Sequence, residues 1–227
     1  MGTLCMILGR SGSGKSTSLR NFKRDEVGVF AVAGKRMPFK SSGENALQVA
    51  YNVGYDAINK AIARNTRRAY VIDDATYLMA FDNFSRAKEV GYDKFVTMAV
   101  SFENLLKTAS SGTDDDTITY FLMHPEFSES GREKPRTIGK MLDQQLCVEG
   151  MFPIVIDCET RIGDDGRPRH VFVTQNDGYN LAKTPMGMFA HDEMDNDLKA
   201  VDTAIREYWG MRPITEGKTD NKEKANG

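Results

Sequence analysis

Two periods alternate along this chain. Apolar runs of strand length occupy residues 4–8, 27–33, 69–72, 117–123, 153–158 and 170–174, rich in β-branched and aromatic side chains. Between and after them the apolar positions shift to helical spacing. A helix is expected over about residues 15–22. Another is expected over 43–64, where Leu47, Ala50, Val53, Ala57, Ile58 and Ile62 fall close to one face. The clearest amphipathic stretch is 92–109, with Tyr92, Phe95, Val96, Ala99, Phe102, Leu105, Leu106 and Ala109 in a stripe. Residues 138–146 and 194–209 complete the set, the latter placing Leu198, Val201, Ile205 and Tyr208 together.

Strands that alternate with helices predict an α/β fold, a mainly parallel central sheet with helices on both faces. The last two strands are joined by the polar turn Gly163-Asp164-Asp165-Gly166 and predict an antiparallel hairpin at one edge. No internal repeat or linker divides the chain, so residues 1–212 read as one domain. Residues 213–227 are polar and free of aromatics, and read as a disordered tail.

Composition adds mainly exclusions. Of the 227 residues, 40% are hydrophobic and 27% charged, as in ordinary globular chains. A net charge of -2 gives no overall pull toward nucleic acid or an anionic membrane, so any polyanion site must be a local patch. Three cysteines without CxxC spacing predict neither a disulfide framework nor a zinc site, but buried thiols in a reducing compartment. The start has no basic segment of a signal peptide. No apolar run approaches the roughly 20 residues of a membrane span. A cytoplasmic protein is expected.

The chemistry concentrates in Gly9-Arg10-Ser11-Gly12-Ser13-Gly14-Lys15-Ser16, which fits G-x-x-x-x-G-K-[ST] without mismatch. The glycines let successive N–H groups turn inward toward a phosphate. A helix starting at Lys15 would add its positive end. In this pattern Lys15 reaches the β- and γ-phosphates, the Ser16 hydroxyl ligates Mg²⁺ and Thr17 meets the α-phosphate. The apolar run before the motif and the helix after it supply the required context. ATP with Mg²⁺ is the expected ligand.

A phosphate cradle of this type needs a carboxylate at the end of a buried strand beside its own. Ala69-Tyr70-Val71-Ile72-Asp73-Asp74 has that form. Asp73 is the expected metal partner. Asp74 is either the general base or a cap for the next turn, with Glu44 and Glu159 as the other candidates for the base. His124 ends the following strand at the same sheet edge, where open α/β sheets bind ligands, and is a candidate to sense the γ-phosphate or position water.

Beyond the motif, the segments GRSGSGKSTSLRNF, GKRMPFK, AYVIDDATYLM, YFLMHPEF, TIGKMLDQQLCVEGMFPIVI and VTQNDGYNLAKTPMGMF resemble the phage-encoded AAA-type ATP-binding proteins, across most of residues 4–189. The resemblance implies a RecA-like P-loop NTPase core, ATP hydrolysis and a role in phage DNA replication or recombination as a homo-oligomer in the host cytoplasm. Single-stranded DNA and a phage or host single-strand-binding protein are the partners it implies. It also makes Arg161 and Lys183 candidates to complete a neighbouring subunit's site, and Arg132, Lys134, Arg136 and Lys140 candidate DNA contacts, with Phe127 nearby to stack on a base. One departure stands out. RecA-type enzymes often place a catalytic glutamate after the second strand, where this chain has Ala33-Gly34-Lys35-Arg36.

Two other readings stay open. A nucleotide or small-molecule kinase also uses this loop, with Arg132 and Arg136 as lid arginines. A non-hydrolysing ATP-dependent switch would explain the missing glutamate.

Overall fold

A computed structural model describes residues 1–128, 131–139, 142, 146–216 and 218. Strand β1 (Thr3–Leu8) lies near the middle of its sheet, parallel to β5 (Ile118–Met123) on one side and to β8 (Ile154–Ile162) on the other. Beyond β5 come β4 (Ala69–Asp73), β2 (Val27–Ala31) and β3 (Val49–Tyr51), all parallel. Beyond β8, β9 (Pro168–Val173) and β10 (Glu193–Asp195) run antiparallel. The order is β10-β9-β8-β1-β5-β4-β2-β3. This is the expected mainly parallel α/β sheet with a hairpin at one edge.

Alternation along β1 shows why its apolar run is unbroken. Leu4, Met6 and Leu8 enter one core with helices α1 (Tyr55–Ala63), α2 (Thr76–Ser85) and α3 (Asp93–Ser110). Cys5 and Ile7 enter the other, with the segment Ser16–Asn21 and helix α4 (Leu198–Trp209). A strand buried on both faces has no position for a polar side chain. α4 begins where Asp197 accepts from the N–H groups of Lys199 and Ala200, and it ends at Gly210, whose φ of 65° suits glycine. Tyr208, expected on its buried stripe, is exposed, as is Tyr92 on that of α3.

Several expectations need correction. The single helix over 43–64 is instead strand β3 followed by α1. Leu47 and Val49 pack on one core and Val53, Tyr55 and Ile58 on the other, so the chain crosses the sheet edge between them, turning at Asn52 with φ 55°. The segment after the glycine-rich loop is a six-residue 3₁₀ turn, not an α-helix, so its dipole contributes less at the loop than a full helix would. Asp73 does not lie on the strand beside β1, because β5 runs between them. Cys147 is exposed, whereas Cys5 and Cys158 are buried. α2, β10 and a small antiparallel hairpin, β6 (Pro125–Phe127) with β7 (Glu133–Pro135), were not expected.

The helix expected over 138–146 falls largely outside the described residues, and Lys140 falls outside them entirely. Past residue 212 the chain still touches the domain: Ile214 is buried, and the Glu216 carbonyl accepts from Arg68 Nε at 2.6 Å. Residues 217 and 219–227 lie outside the described residues.

Candidate functional site

The loop from Gly9 to Lys15 closes over the C-terminal end of β1. Gly12 (φ 82°) and Gly14 (φ 100°) occupy the left-handed region. A Cβ at Gly14 would also stand 2.6 Å from the His170 ring, so β9 constrains the loop from outside. Lys15 is only 5% exposed and points back into the loop. Its Nζ donates to the Gly9 carbonyl at 2.6 Å and the Arg10 carbonyl at 3.0 Å. Burial lowers its pKa, while Cys158, Asp74 and Asp73 act in the opposite direction. The ammonium is therefore held over the hollow by two carbonyls that a phosphate oxygen would replace.

Ser16 Oγ donates to Asp73 Oδ1 at 2.9 Å across 57 positions of sequence. Asp73 is 4% exposed. Burial, and then the charge of Asp74, push its carboxyl up to about 6, against the Ser16 hydrogen bond that lowers it. Two hard oxygen donors side by side, one of them a carboxylate raised by burial, suit Mg²⁺, whose remaining ligands come from phosphates and water. A divalent cation would offset the cost of ionising Asp73. Among the described residues no group of three His, Cys, Asp or Glu side chains is placed to hold a metal alone.

Asp74 takes φ 60°, uncommon outside glycine. Both its oxygens are engaged. Oδ2 accepts from Lys35 Nζ at 2.9 Å, and Oδ1 lies 3.1 Å from His124 Nε2. Burial raises the Asp74 pKa, but the hydrogen bonds from His124 and Lys35 outweigh it, and the carboxyl lies below its usual range. The His124 backbone N–H donates to Thr76 Oγ1 at 3.0 Å, and its ring meets Tyr77 edge-on at 5.7 Å. Lys35 is the residue that sequence reasoning passed over. Where a RecA-type glutamate would follow β2, the loop after the strand carries a cation instead, and Gly34-Lys35-Arg36 at the ligand-binding edge is the sequence signal for it.

Two cavities flank the cradle. One of about 220 Å³ is lined by Ser11, Gly12, Gly14 to Thr17, Lys35, Arg36, Asp73, Asp74 and His124. The other, about 480 Å³, is lined by Gly9 to Ser13, Phe127, Glu133, Asp157, Glu159, Asp177, Tyr179 and Asn180. A third, about 600 Å³, lies among Val32, Asn52, Tyr55, Leu78, Asp82 and Arg86 and shares no lining residue with either. Thus Lys15, Ser16, Thr17, Asp73, Asp74 and His124 line one cavity.

The remaining candidates stand apart. Glu44 is exposed and lines neither flanking cavity. Glu159 lines the larger flanking cavity and is paired with Arg161, which also reaches Glu193 at 3.4 Å. Lys183 is exposed, with its backbone bridged to Val155. In the β6–β7 hairpin Lys134 pairs with Glu126 at 2.9 Å, while Arg132 and Arg136 are exposed. Phe127 lies under the Arg10 guanidinium, 4.6 Å from ring centroid to Cζ.

No protein-family model matches the chain, and no curated protein is similar to it. Among solved structures it is similar to the ATPase DotB of Legionella pneumophila, at 13% identity and a TM-score of 0.40 over 96% of this chain and 54% of that one. The pilus retraction motor PilT with bound ADP gives 10% and 0.42, over 92% of this chain and 51% of that one. An uncharacterized protein of Pyrococcus horikoshii, PH0321, gives 9% and 0.38, over 81% and 85%. The chain spans about half the length of DotB and PilT. Likenesses this distant assign no activity; the P-loop character of the chain rests on its own loop and sheet.

Proposed function

We propose that this protein binds ATP with Mg²⁺ and hydrolyses it. The observation that carries the reading is the 2.9 Å bond between Ser16 and Asp73, beside the inward-facing Lys15. It joins the loop to a buried carboxylate on a strand two places away, a pairing that a glycine-rich turn without a ligand would not need.

The backbone N–H groups of residues 9–17 would hold the phosphate chain, and Lys15 would exchange two carbonyls for β- and γ-oxygens. Ser16 and Asp73 would hold the cation, which neutralises charge on those phosphates when bound. Asp74, ionised at neutral pH, is positioned to accept a proton from water once one of its oxygens is released. His124 orients Asp74.

The finer reading is an ATPase of the phage AAA type that acts on DNA as an oligomer in the host cytoplasm. The sequence resemblance supports it, as do the exposed Arg132 and Arg136 on a hairpin that touches the cradle through Phe127 and Arg10. Among the described residues no helix is long and apolar enough to cross a membrane. A kinase needs an acceptor pocket against the γ-phosphate; the about 480 Å³ cavity shares Ser11 and Gly12 with the cradle's own cavity, so label transfer separates the two readings.

Thin-layer chromatography of γ-labelled ATP, with and without single-stranded DNA, tests the proposal. Free phosphate is expected, and Lys15→Ala should lower both binding and turnover by about 100-fold or more, since each 1.36 kcal/mol is a factor of ten. Unchanged ATP affinity in a folded Lys15→Ala protein would end the reading, and label moved to an acceptor would replace hydrolysis with transfer.

A further inference from the structure

The Lys35–Asp74 pair has a property that a purely structural ion pair would not need. Asp74 is a deep, almost covered carboxylate, whereas the Lys35 side chain is 62% exposed. Lys35 enters from the end of β2 and lines the same cavity as Lys15, Ser16 and Asp73. Its Nζ also lies 5.2 Å from the Tyr77 ring centroid, within cation–π range. Asp74 is fixed from the other side by His124, so releasing Lys35 would free one carboxylate oxygen and leave the other anchored.

Because its cation stands in water, this pair can be opened by a stronger anion arriving from the solvent side. A terminal phosphate offers more negative charge and three acceptor oxygens, and charge-assisted bonds to it are about twice as strong as neutral ones. A diphosphate lacks that group. A ligand shifts such an equilibrium only through its different affinity for the two states, and the γ-phosphate is what distinguishes them here.

Building on the ATP-hydrolysis reading, we propose that Lys35 is a latch sensitive to the γ-phosphate. Without a triphosphate it holds Asp74. With one bound it turns to the terminal phosphate and leaves an Asp74 oxygen free toward the attacking water. Lys35 is then a positioning residue supplied by the same chain, in the loop after β2. It also makes nucleotide discrimination a property of one side chain, separate from the cradle that holds the α- and β-phosphates.

The test compares ADP with a non-hydrolysable ATP analogue, both with Mg²⁺, in wild type, Lys35→Met and Lys35→Arg. Lys35→Met should weaken the triphosphate about tenfold, the loss of one charge-assisted contact, while ADP affinity stays within about twofold. Unchanged ADP affinity also reports that the variant is folded with its cradle intact. Turnover at saturating ATP should fall, and Lys35→Arg should restore the triphosphate preference. If Lys35→Met shifts both nucleotides equally, or neither, the latch is wrong while nucleotide binding stands. A wild-type protein that binds neither nucleotide overturns the ATP reading and the latch together.

Discussion

On the flank of the cradle toward β4, each buried carboxylate has a partner: Asp73 has the Ser16 hydroxyl, and Asp74 has Lys35 and His124. On the flank toward β8, Asp157 is 2% exposed; Oδ2 accepts from the Leu181 N–H at 3.2 Å, and the side chain is hydrogen-bonded to a second carboxyl, that of Glu133. Burial, and then the charge of Glu133, push the Asp157 carboxyl up to about 8, whereas Asp74 is held below its ordinary value. Asp74 is thus kept ionised, whereas Asp157 and Glu133 share a proton between them. Partnered charge suits a reaction whose geometry is fixed in advance. Two buried carboxyls in contact cannot both ionise, so the pair retains a proton. The first flank is built for chemistry, and the second presents a proton-sharing carboxyl pair to whatever enters its cavity.

The sharpest way to break this contrast is Asp73→Asn. Asparagine keeps the size and still accepts from Ser16, but it cannot supply charge to a cation. Mg²⁺-dependent turnover should fall by about 100-fold, roughly 2.7 kcal/mol of barrier. ADP binding without Mg²⁺ should persist, and melting temperature should hold or rise, because a buried ionisable group has been neutralised. Normal turnover in phosphate-release assays would show that Asp73 does not hold the metal.

On the other flank the corresponding change is Asp157→Asn, and its effect is on stability. The Asp157 pKa is raised from 3.8 to about 8 on folding, so the native state binds a proton that the unfolded chain has released. Its contribution is complete below about pH 4 and is lost as pH rises through about 8. Wild-type melting temperature should fall across that window. Asp157→Asn, which stays neutral, should flatten the slope and be the more stable of the two above pH 8, as measured by calorimetry in a pH series. Parallel profiles for the two proteins would mean that Asp157 does not carry the proton of the pair, and the contrast would fail.

How far each flank could be read from sequence differs for a physical reason. Gly9 to Thr17 and Asp73 belong to a contiguous pattern and to a short apolar run that ends in a carboxylate, and both are local signals. Lys35 meets Asp74 only because β2 and β4 pair in parallel in one register, Ala31 beside Asp73. Pairing of that kind is set by the sheet and not by spacing. Asp157 ends an apolar run that sequence did mark as a strand, but its neighbour Glu133 comes from a hairpin with no periodicity of its own. The long helix over 43–64 was misread because strand β3 has only three residues, too few for a period to declare itself against the helical spacing beside it.

The smallest effect concerns the contact that ties the second flank to the cradle. Phe127, on β6, is 46% exposed, with the Arg10 guanidinium 4.6 Å from its ring centroid. A cation–π contact this exposed is worth about 0.5–1 kcal/mol. Phe127→Leu keeps the apolar bulk and removes the ring face, so melting temperature should drop by only about 1–4 °C. Arg10→Gln should cost a similar amount. If the hairpin is held to the loop by this pair, the double variant should lose less than the sum of the two, by about 0.5–1 kcal/mol in a denaturation cycle. Nucleotide affinity should then change together in both single variants, because Arg10 lies within the phosphate loop. Strict additivity would mean that the hairpin sits beside the cradle without being coupled to it, and that a ligand in the second cavity has no route through Arg10 to the first.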